Sequence, residues 1–348
     1  MSLLCKNRPL WEFTKSVNLP PSTPLQDLHG RRFSYLRLSI TDACNFRCVY
    51  CLPHGYERAE HAPEPLSVPE IRNLVAAFTE LGMWKVRLTG GEPTLRRDLL
   101  EIIDTVAANP AVRRIGLSTN GYRLRSLARD LRSAGVAAVN VSVDTLDPDR
   151  FRAATGSDAL PEILGGIDEA LALGFDSVKV NAVLMKDVND QDLALFLDWI
   201  RARPVAVRFI ELMPTGRNSE LFQSRHLSSA TLHAELEAQG WRARERGPAD
   251  GPALELEHPS YRGRIGIIAP YSKDFCASCN RLRVSSTGGL RLCLFAEGDS
   301  SLRPWLRAAE QKDELKDRIR ALLNQKEVSH YLPEGRYGNN QTFSAIGG

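Results

Sequence analysis

Six of the seven cysteines in this 348-residue chain fall into two groups of three. The first group is Cys44-x3-Cys48-x2-Cys51, and the second is Cys276-x2-Cys279-x13-Cys293. Thiolates bind metal. A structural zinc site takes four ligands, and iron–sulfur clusters are normally held by four cysteines. A triad leaves one coordination position open, and an open position is where a small molecule can bind and react. Two triads predict two metal centres, each able to hold a small molecule. Zinc is the alternative for the first group, where Cys44, Cys48, Cys51 and His54 could close a site. The second group has no histidine between Cys276 and Cys293. Seven cysteines are too few for a disulfide scaffold, and in a reducing compartment they serve as thiols or metal ligands. Cys5 reads as a spare thiol.

The elements that must position these groups alternate. Residues 36–40 form a β-like run. Ser67-Val68-Pro69-Glu70 is a capping box with proline in the first turn, and it opens a helix whose apolar residues recur at helical spacing until Gly82. Strands are predicted at 85–89, 114–119, 138–143, 177–185 and 205–212, and helices at 97–108, 124–134, 160–173 and 190–203. Strands alternating with helices imply a parallel sheet. Six such units fall short of the eight of a closed barrel, so the expectation is α/β: an incomplete parallel (β/α)6 barrel with a smaller C-terminal α+β extension carrying the second cysteine group. A doubly wound sheet is the other architecture open.

The polar motifs sit just past strand ends: the first cysteine loop, Gly90-Gly91-Glu92-Pro93, Asn120-Gly121, Asp144-Thr145 and Met213-Pro214. In parallel barrels that rim carries the active site. After Pro214 the pattern changes. A helix at 228–239 is followed by a Gly- and Pro-containing stretch, a hairpin built around Thr287-Gly288-Gly289 with the second cysteine group wrapped about it, and a last helix at 302–324 with a solvated charged face. The predicted organisation is a weakly structured leader at 1–33, a partial barrel at 34–215 and an auxiliary region at 216–348.

Composition excludes several classes. Hydrophobic residues make up 43% and charged residues 25%, which is too apolar for a disordered chain. No apolar run approaches the roughly 18 to 20 residues of a membrane span. A net charge of +3 gives no case for a nucleic-acid or membrane partner. The N-terminus lacks the apolar core of a secretory signal, so a cytoplasmic protein is expected. No Gly-Lys pair occurs, so a Walker phosphate loop is absent.

Cys44-Asn45-Phe46-Arg47-Cys48-Val49-Tyr50-Cys51, with an aromatic residue before the third cysteine, resembles the cysteine loop of radical S-adenosylmethionine (SAM) enzymes, and Gly90-Gly91-Glu92-Pro93 fits the same superfamily. Within it the chain resembles the GTP 3′,8-cyclase family of molybdenum-cofactor biosynthesis. Three features carry the narrower likeness: Phe275-Cys276-x2-Cys279-Asn280-Arg281-x-Arg283 ahead of Cys293-Leu294-Phe295, the run Arg208-Phe209-Ile210-Glu211-Leu212-Met213, and the closing Gly347-Gly348. The likeness spans residue 25 to the end.

The resemblance implies two [4Fe-4S] clusters, one on Cys44, Cys48 and Cys51 and the other on Cys276, Cys279 and Cys293. It implies SAM contacts at Tyr50, Gly91, Ser142 and Met213. It implies GTP contacts at Arg37, Arg87, Ser118, Lys179, Arg281, Leu282 (through its backbone) and Arg283, with the Gly347-Gly348 tail threading into the site. The SAM-derived radical would take hydrogen from the ribose 3′ carbon of GTP, and the new radical would attack carbon 8 of guanine. A low-potential electron donor such as a flavodoxin, a downstream cyclic pyranopterin monophosphate synthase and a possible homodimer are the implied partners.

The residues make independent sense of this. A triphosphate needs several cations, and Lys85 shares a strand face with Arg87 at period two, as Arg281 does with Arg283. Inward-facing cations are costly unless paired, which favours an anionic ligand. Gly90 and Gly91 either permit a tight turn or let a ligand approach the backbone closely. Ser118 stands where the family more often has threonine. A radical SAM enzyme that modifies a peptide and a zinc-stabilised binding module are the competing readings.

Overall fold

A computed structural model describes residues 24–247 and 250–346. Cys5, most of the expected leader, and Gly347 and Gly348 lie outside the described residues. Of that leader, residues 24–33 are held in place. Leu25 and Phe33 are buried, and Asp27 is ion-paired to Arg31 at 2.6 Å.

The parallel strands come in the predicted order. They are β1 (Tyr35–Ser39), β2 (Lys85–Thr89), β3 (Arg114–Thr119), β4 (Val136–Ser142), β5 (Ser177–Leu184) and β6 (Ala206–Glu211). Each pairs parallel with the next. Between them run α1 (Val68–Glu80), α2 (Leu99–Ala107), α3 (Leu124–Ser133), α4 (Pro148–Thr155), α5 (Leu160–Ala172) and α6 (Leu193–Arg201). Helix α1 shows why the local reading works. The Glu70 amide donates to Ser67 Oγ, the Ser67 amide donates to Glu70 Oε2 at 2.8 Å, and Gly82 follows the helix with φ +91°. Helix α4 lies in a segment the sequence reading left without an element. Its signals are present: Asp147 accepts from the Arg150 amide, Pro148 opens the first turn and Gly156 closes it with φ +70°.

The C-terminal extension does more than append a unit. Beyond α7 (Ser219–Arg225) and α8 (Ala230–Ala238) lie β7 (Arg242–Ala243), β8 (Leu254–Glu257), β9 (Arg264–Ile268), β10 (Arg281–Val284), β11 (Gly289–Arg291) and β12 (Ser300–Ser301). Among the described residues the twelve strands form one sheet in the order β12-β11-β10-β1-β2-β3-β4-β5-β6-β9-β8-β7. Strand β9 adds parallel to β6, and β10 adds parallel to β1. The partial barrel is therefore widened at both edges by strands from the second half of the chain. The expected hairpin is present as β10–β11. The expected helix at 302–324 is shorter. Pro304 lies in a 3-10 turn, Arg303–Trp305, and the α-helix α9 begins only at Lys312, running to Leu323. Its charges are only partly solvated, since Lys312 and Lys316 pair with Glu80 of α1.

Strand alternation divides the sheet into two chemistries. Leu36, Leu38, Val86, Leu88, Ile115, Leu117, Val139, Val141, Val178, Val180, Val207 and Phe209 join one continuous core with the buried faces of the helices. The residues between them point the other way, and most carry charge: Arg37, Arg87, Lys179 and Arg208, with Asn140 and Gly116. Parallel strands are ordinarily apolar on both faces, so this polar inner face is the anomaly that locates the site. No helix among the described residues is long and apolar enough to cross a membrane.

Candidate active site

The inner face encloses a cavity of 1040 Å³. Alternate residues line it: Tyr35 and Arg37 of β1, Lys85 and Arg87 of β2, Asn140 of β4, Lys179 and Asn181 of β5, Arg208 of β6, and Arg281 and Arg283 of β10. Register places Arg283, Arg37 and Arg87 side by side in one row, continued by Gly116. A Cβ on Gly116 would stand 2.7 Å from the Arg87 guanidinium, so the glycine makes the room that Arg87 fills. Gly266 of β9 does the same for the stem of Arg208. The second thiol triad also lines the cavity.

The triads stand at opposite ends of the strands. The first cysteine loop follows the carboxyl end of β1. Cys279 precedes β10, which runs parallel to β1, so the second triad lies at the amino end. The cavity wall runs between them. Met213 belongs to that wall and also packs, with Cys51 and Cys293, against a small apolar cluster of Leu294, Phe295, Leu332, Phe343 and Ile346.

The first triad is built by hydrogen bonding from neighbouring loops. The Phe46 amide approaches Cys44 Sγ at 3.5 Å, and Asn120 Nδ2 stands 3.9 Å from the same sulfur. Glu92, fully buried, accepts from the Thr94 amide and hydroxyl, the Thr119 hydroxyl and the Asn120 amide, locking the loops after β2 and β3 together. Gly90, at φ +138°, and Gly91 allow this loop to lie against the cysteine loop. A Cβ on Gly91 would be 2.3 Å from the Ala43 carbonyl oxygen, and the Gly91 amide donates to Thr41 O at 2.9 Å. The close approach these glycines serve in the fold is thus of protein backbone. Tyr50 donates to Asp144 Oδ2 at 3.0 Å, and the Val183 amide donates to Oδ1. Burial raises the Asp144 carboxyl to about 6.

Both triads have the chemistry of cluster ligands. All six residues are half-buried free cysteines. Burial pushes the Cys44 and Cys48 thiols up, and it pushes Cys51 up to about 12. Three thiolates can share that pocket only around a cation, since ligand cysteines must be deprotonated. In the second triad burial raises Cys276, while at Cys279 the charges of Arg281 and Lys326 outweigh burial and lower the thiol to about 7. Arg31 anchors this loop. It reaches the carbonyls of Cys276, Glu327 and Val328 while ion-paired to Asp27. His54, the fourth ligand of the zinc alternative, is exposed, and among the described residues no three His, Cys, Asp or Glu side chains close around one ion.

The chamber is strongly cationic. Burial alone would raise the Tyr35 phenol, but Arg87, Arg37 and Lys85 outweigh it and lower the group to about 7. The phenol oxygen accepts from Arg87 Nε at 2.7 Å. Burial lowers Lys85 and Lys179 to about 8. Arg283 is pulled down by burial and then by Arg37 and Arg281, and its buried Nε has no hydrogen-bond partner among the described residues. Such a wall favours an anion.

The structure gathers most of the residues singled out in the sequence. Arg37, Arg87, Lys179, Arg281, Arg283 and Met213 line the cavity. Ser118 and Ser142 share the inner face by alternation, Ser142 opening to solvent at the end of β4. Leu282 is fully buried in the apolar core and offers the chamber no side chain. Sequence reasoning missed Tyr35, Asn140, Asn181, Arg31 and the wall role of Arg208. Period two on β1, β4, β5 and β6 was the signal for four of them.

A partial parallel barrel with a three-cysteine loop at its carboxyl rim defines the radical SAM class, and residues 38–200 match the Radical SAM superfamily model. Residues 205–332 match the model described as Molybdenum Cofactor Synthesis C. Streptococcus suis SuiB, crystallised with S-adenosylmethionine, shares the fold at a TM-score of 0.60 and 13% identity, over 86% of this chain and 68% of that one. The chain is 52% identical over 324 residues to the GTP 3′,8-cyclase of Yersinia pestis, covering 93% of this chain and 99% of that protein. It is 53% identical over 328 residues to the GTP 3′,8-cyclase of Klebsiella pneumoniae (strain 342), covering 94% and 100%. The chain belongs to the GTP 3′,8-cyclase family, and membership in the superfamily implies a [4Fe-4S] cluster and SAM.

Proposed function

We propose that the protein converts GTP into (8S)-3′,8-cyclo-7,8-dihydroguanosine 5′-triphosphate, joining ribose carbon 3′ to guanine carbon 8, the first step of molybdopterin biosynthesis. The observation that carries this reading is the row of interior cations set between two thiol triads.

Cys44, Cys48 and Cys51 would hold the SAM-binding [4Fe-4S] cluster, and Cys276, Cys279 and Cys293 a second one at the guanine end. When bound, the first cluster supplies the electron that cleaves SAM to a 5′-deoxyadenosyl radical. The chain's own work is to bind, orient and shield. Tyr50, Gly91, Ser142 and Met213 are assigned to SAM. Arg37, Arg87, Ser118, Lys179, Arg281, Arg283 and the Leu282 backbone are assigned to GTP. Arginine forks suit the phosphate oxygens. The barrel wall and C-terminal strands around the cavity would limit the access of water and stray hydrogen donors to a carbon radical. We assign radical generation to residues 34–215 and the guanine end to residues 216–348, with Gly347-Gly348 reaching into the chamber. A low-potential donor such as a flavodoxin would reduce the cluster, and the product would pass to a cyclic pyranopterin monophosphate synthase.

The test is anaerobic reconstitution with iron, sulfide, reductant, SAM and GTP. The expected result is the cyclic nucleotide alongside 5′-deoxyadenosine. 5′-Deoxyadenosine without a GTP-derived product would sink the substrate assignment.

A further inference from the structure

Four cations converge on one carboxylate at the join between the barrel and the C-terminal strands. Glu255 of β8 is 6% exposed. Its Oε1 accepts from Lys179 Nζ at 2.8 Å and from an Arg208 terminal nitrogen at 2.7 Å. Its Oε2 accepts from Arg244 at 3.2 Å and lies 3.6 Å from Arg264. Lys179 and Arg208 sit on adjacent strands of the cavity wall, and Glu255 is the sole ion-pair partner of either among the described residues. Glu255 lies in the same cross-strand row as Arg208, across Gly266 of β9, outside the cavity lining itself. Without it, two partly desolvated cations would face one another with only Asp250 to offset Lys179. Each keeps donors to spare. Lys179 spends one N–H on the carboxylate, and the buried Arg208 Nε has no hydrogen-bond partner among the described residues.

We propose that Glu255 is a positioning residue for the nucleotide's phosphates: it fixes Lys179 and Arg208 at the chamber wall with their remaining N–H donors turned to a polyphosphate. The inference rests on the reading of GTP as substrate. Arg244 and Arg264, on the other oxygen, hold the carboxylate in place. The charged groups facing Lys179 are Arg208, Glu255 and Asp250. Burial and Arg208 lower the ammonium to about 8, while Glu255 and Asp250 act the other way. Neutralising Glu255 therefore lets Lys179 lose its proton at lower pH, and the site weakens as pH rises.

The experiment is calorimetric titration of the anaerobically reconstituted protein with GTP at pH 7 and pH 9. Glu255→Gln is expected to bind GTP about tenfold more weakly at pH 7, the loss of about one charge-assisted contact. Its further loss of affinity by pH 9 should exceed that of the wild type. A purely structural role would lower the number of competent sites and leave the dissociation constant and its pH dependence unchanged, and that result overturns the proposal. GTP binding equal to or tighter than wild type at both pH values also overturns it. If Glu255→Gln does not fold, Glu255→Asp, which keeps the charge but falls short of both cations, decides in the same titration. Weaker GTP binding upholds the proposal, and unchanged binding overturns it. Failure of the wild type to bind GTP would instead contradict the substrate reading.

Discussion

A tyrosine among cations is the clearest residue-scale consequence of this chamber. Tyr35 accepts from Arg87 Nε, and Lys85 Nζ lies 4.3 Å from the centre of its ring. Its folded value of about 7 lies below the value of about 10 expected in the unfolded chain. Between those values the folded protein holds a phenolate and the unfolded chain a phenol. The unfolded chain then binds more protons, so the Tyr35 contribution to stability grows as pH rises from 7 and is lost as pH falls through 7. The melting temperature of ligand-free wild type minus that of Tyr35→Phe should widen from pH 7 to pH 9, and a constant difference would contradict the phenolate. Chemistry-bearing residues were legible here when their spacing carried the signal. The cysteine triads and the Arg281/Arg283 pair needed only counting. Glu255, Arg31 and Gly116 were not legible, because their roles exist only through partners far along the chain: Lys179, the Cys276 carbonyl and Arg87.

At the scale of elements, loops dock on loops through glycine. Adding a methyl at Gly91 would drive it into the Asp42 and Ala43 carbonyls, which are backbone and cannot swing aside. Gly91→Ala should therefore displace the first cysteine loop. Iron and sulfide analysis should find the complement of the first triad lost and that of the second retained, with helical content by circular dichroism unchanged. Full retention of both would show that the loop tolerates the shift. The same scale explains which elements the sequence announced. Helix α1 carries a capping box, a proline and a terminal glycine around regular apolar spacing, and β1 to β6 alternate with helices of ordinary length. Strands β7 to β9 are two to five residues long and sit in a stretch rich in glycine and charge, so periodicity had too few residues to register. Helix α9 begins later than its apolar pattern suggested: two short 3-10 turns, Arg303–Trp305 and Ala309–Gln311, precede it.

At the scale of the whole molecule, one sheet organises the described residues, and both its edges are built by the C-terminal half of the chain. No local pattern states that β9 joins β6 while β10 joins β1, since those pairings span long sequence separations. The consequence is functional. The second triad lines the chamber at the amino end of the strands and the first stands in the loop past the carboxyl end of β1, so the two should be separable by mutation. Cys276→Ala should still form 5′-deoxyadenosine from SAM under reducing conditions, detected by chromatography. Its yield of GTP-derived product should fall by at least about a hundredfold, as expected when a group that orients the reacting atoms is removed. Loss of 5′-deoxyadenosine in step with product would mean that the two ends act as one centre.

The central claim is that hydrogen leaves the ribose 3′ carbon of a GTP held between the two triads. GTP deuterated at that carbon, incubated anaerobically with the reconstituted, reduced protein and SAM, tests it most directly by mass spectrometry of the 5′-deoxyadenosine formed. The account predicts one deuterium in that nucleoside together with a cyclised nucleotide. Unlabelled 5′-deoxyadenosine, or label recovered only in unreacted GTP, would contradict it.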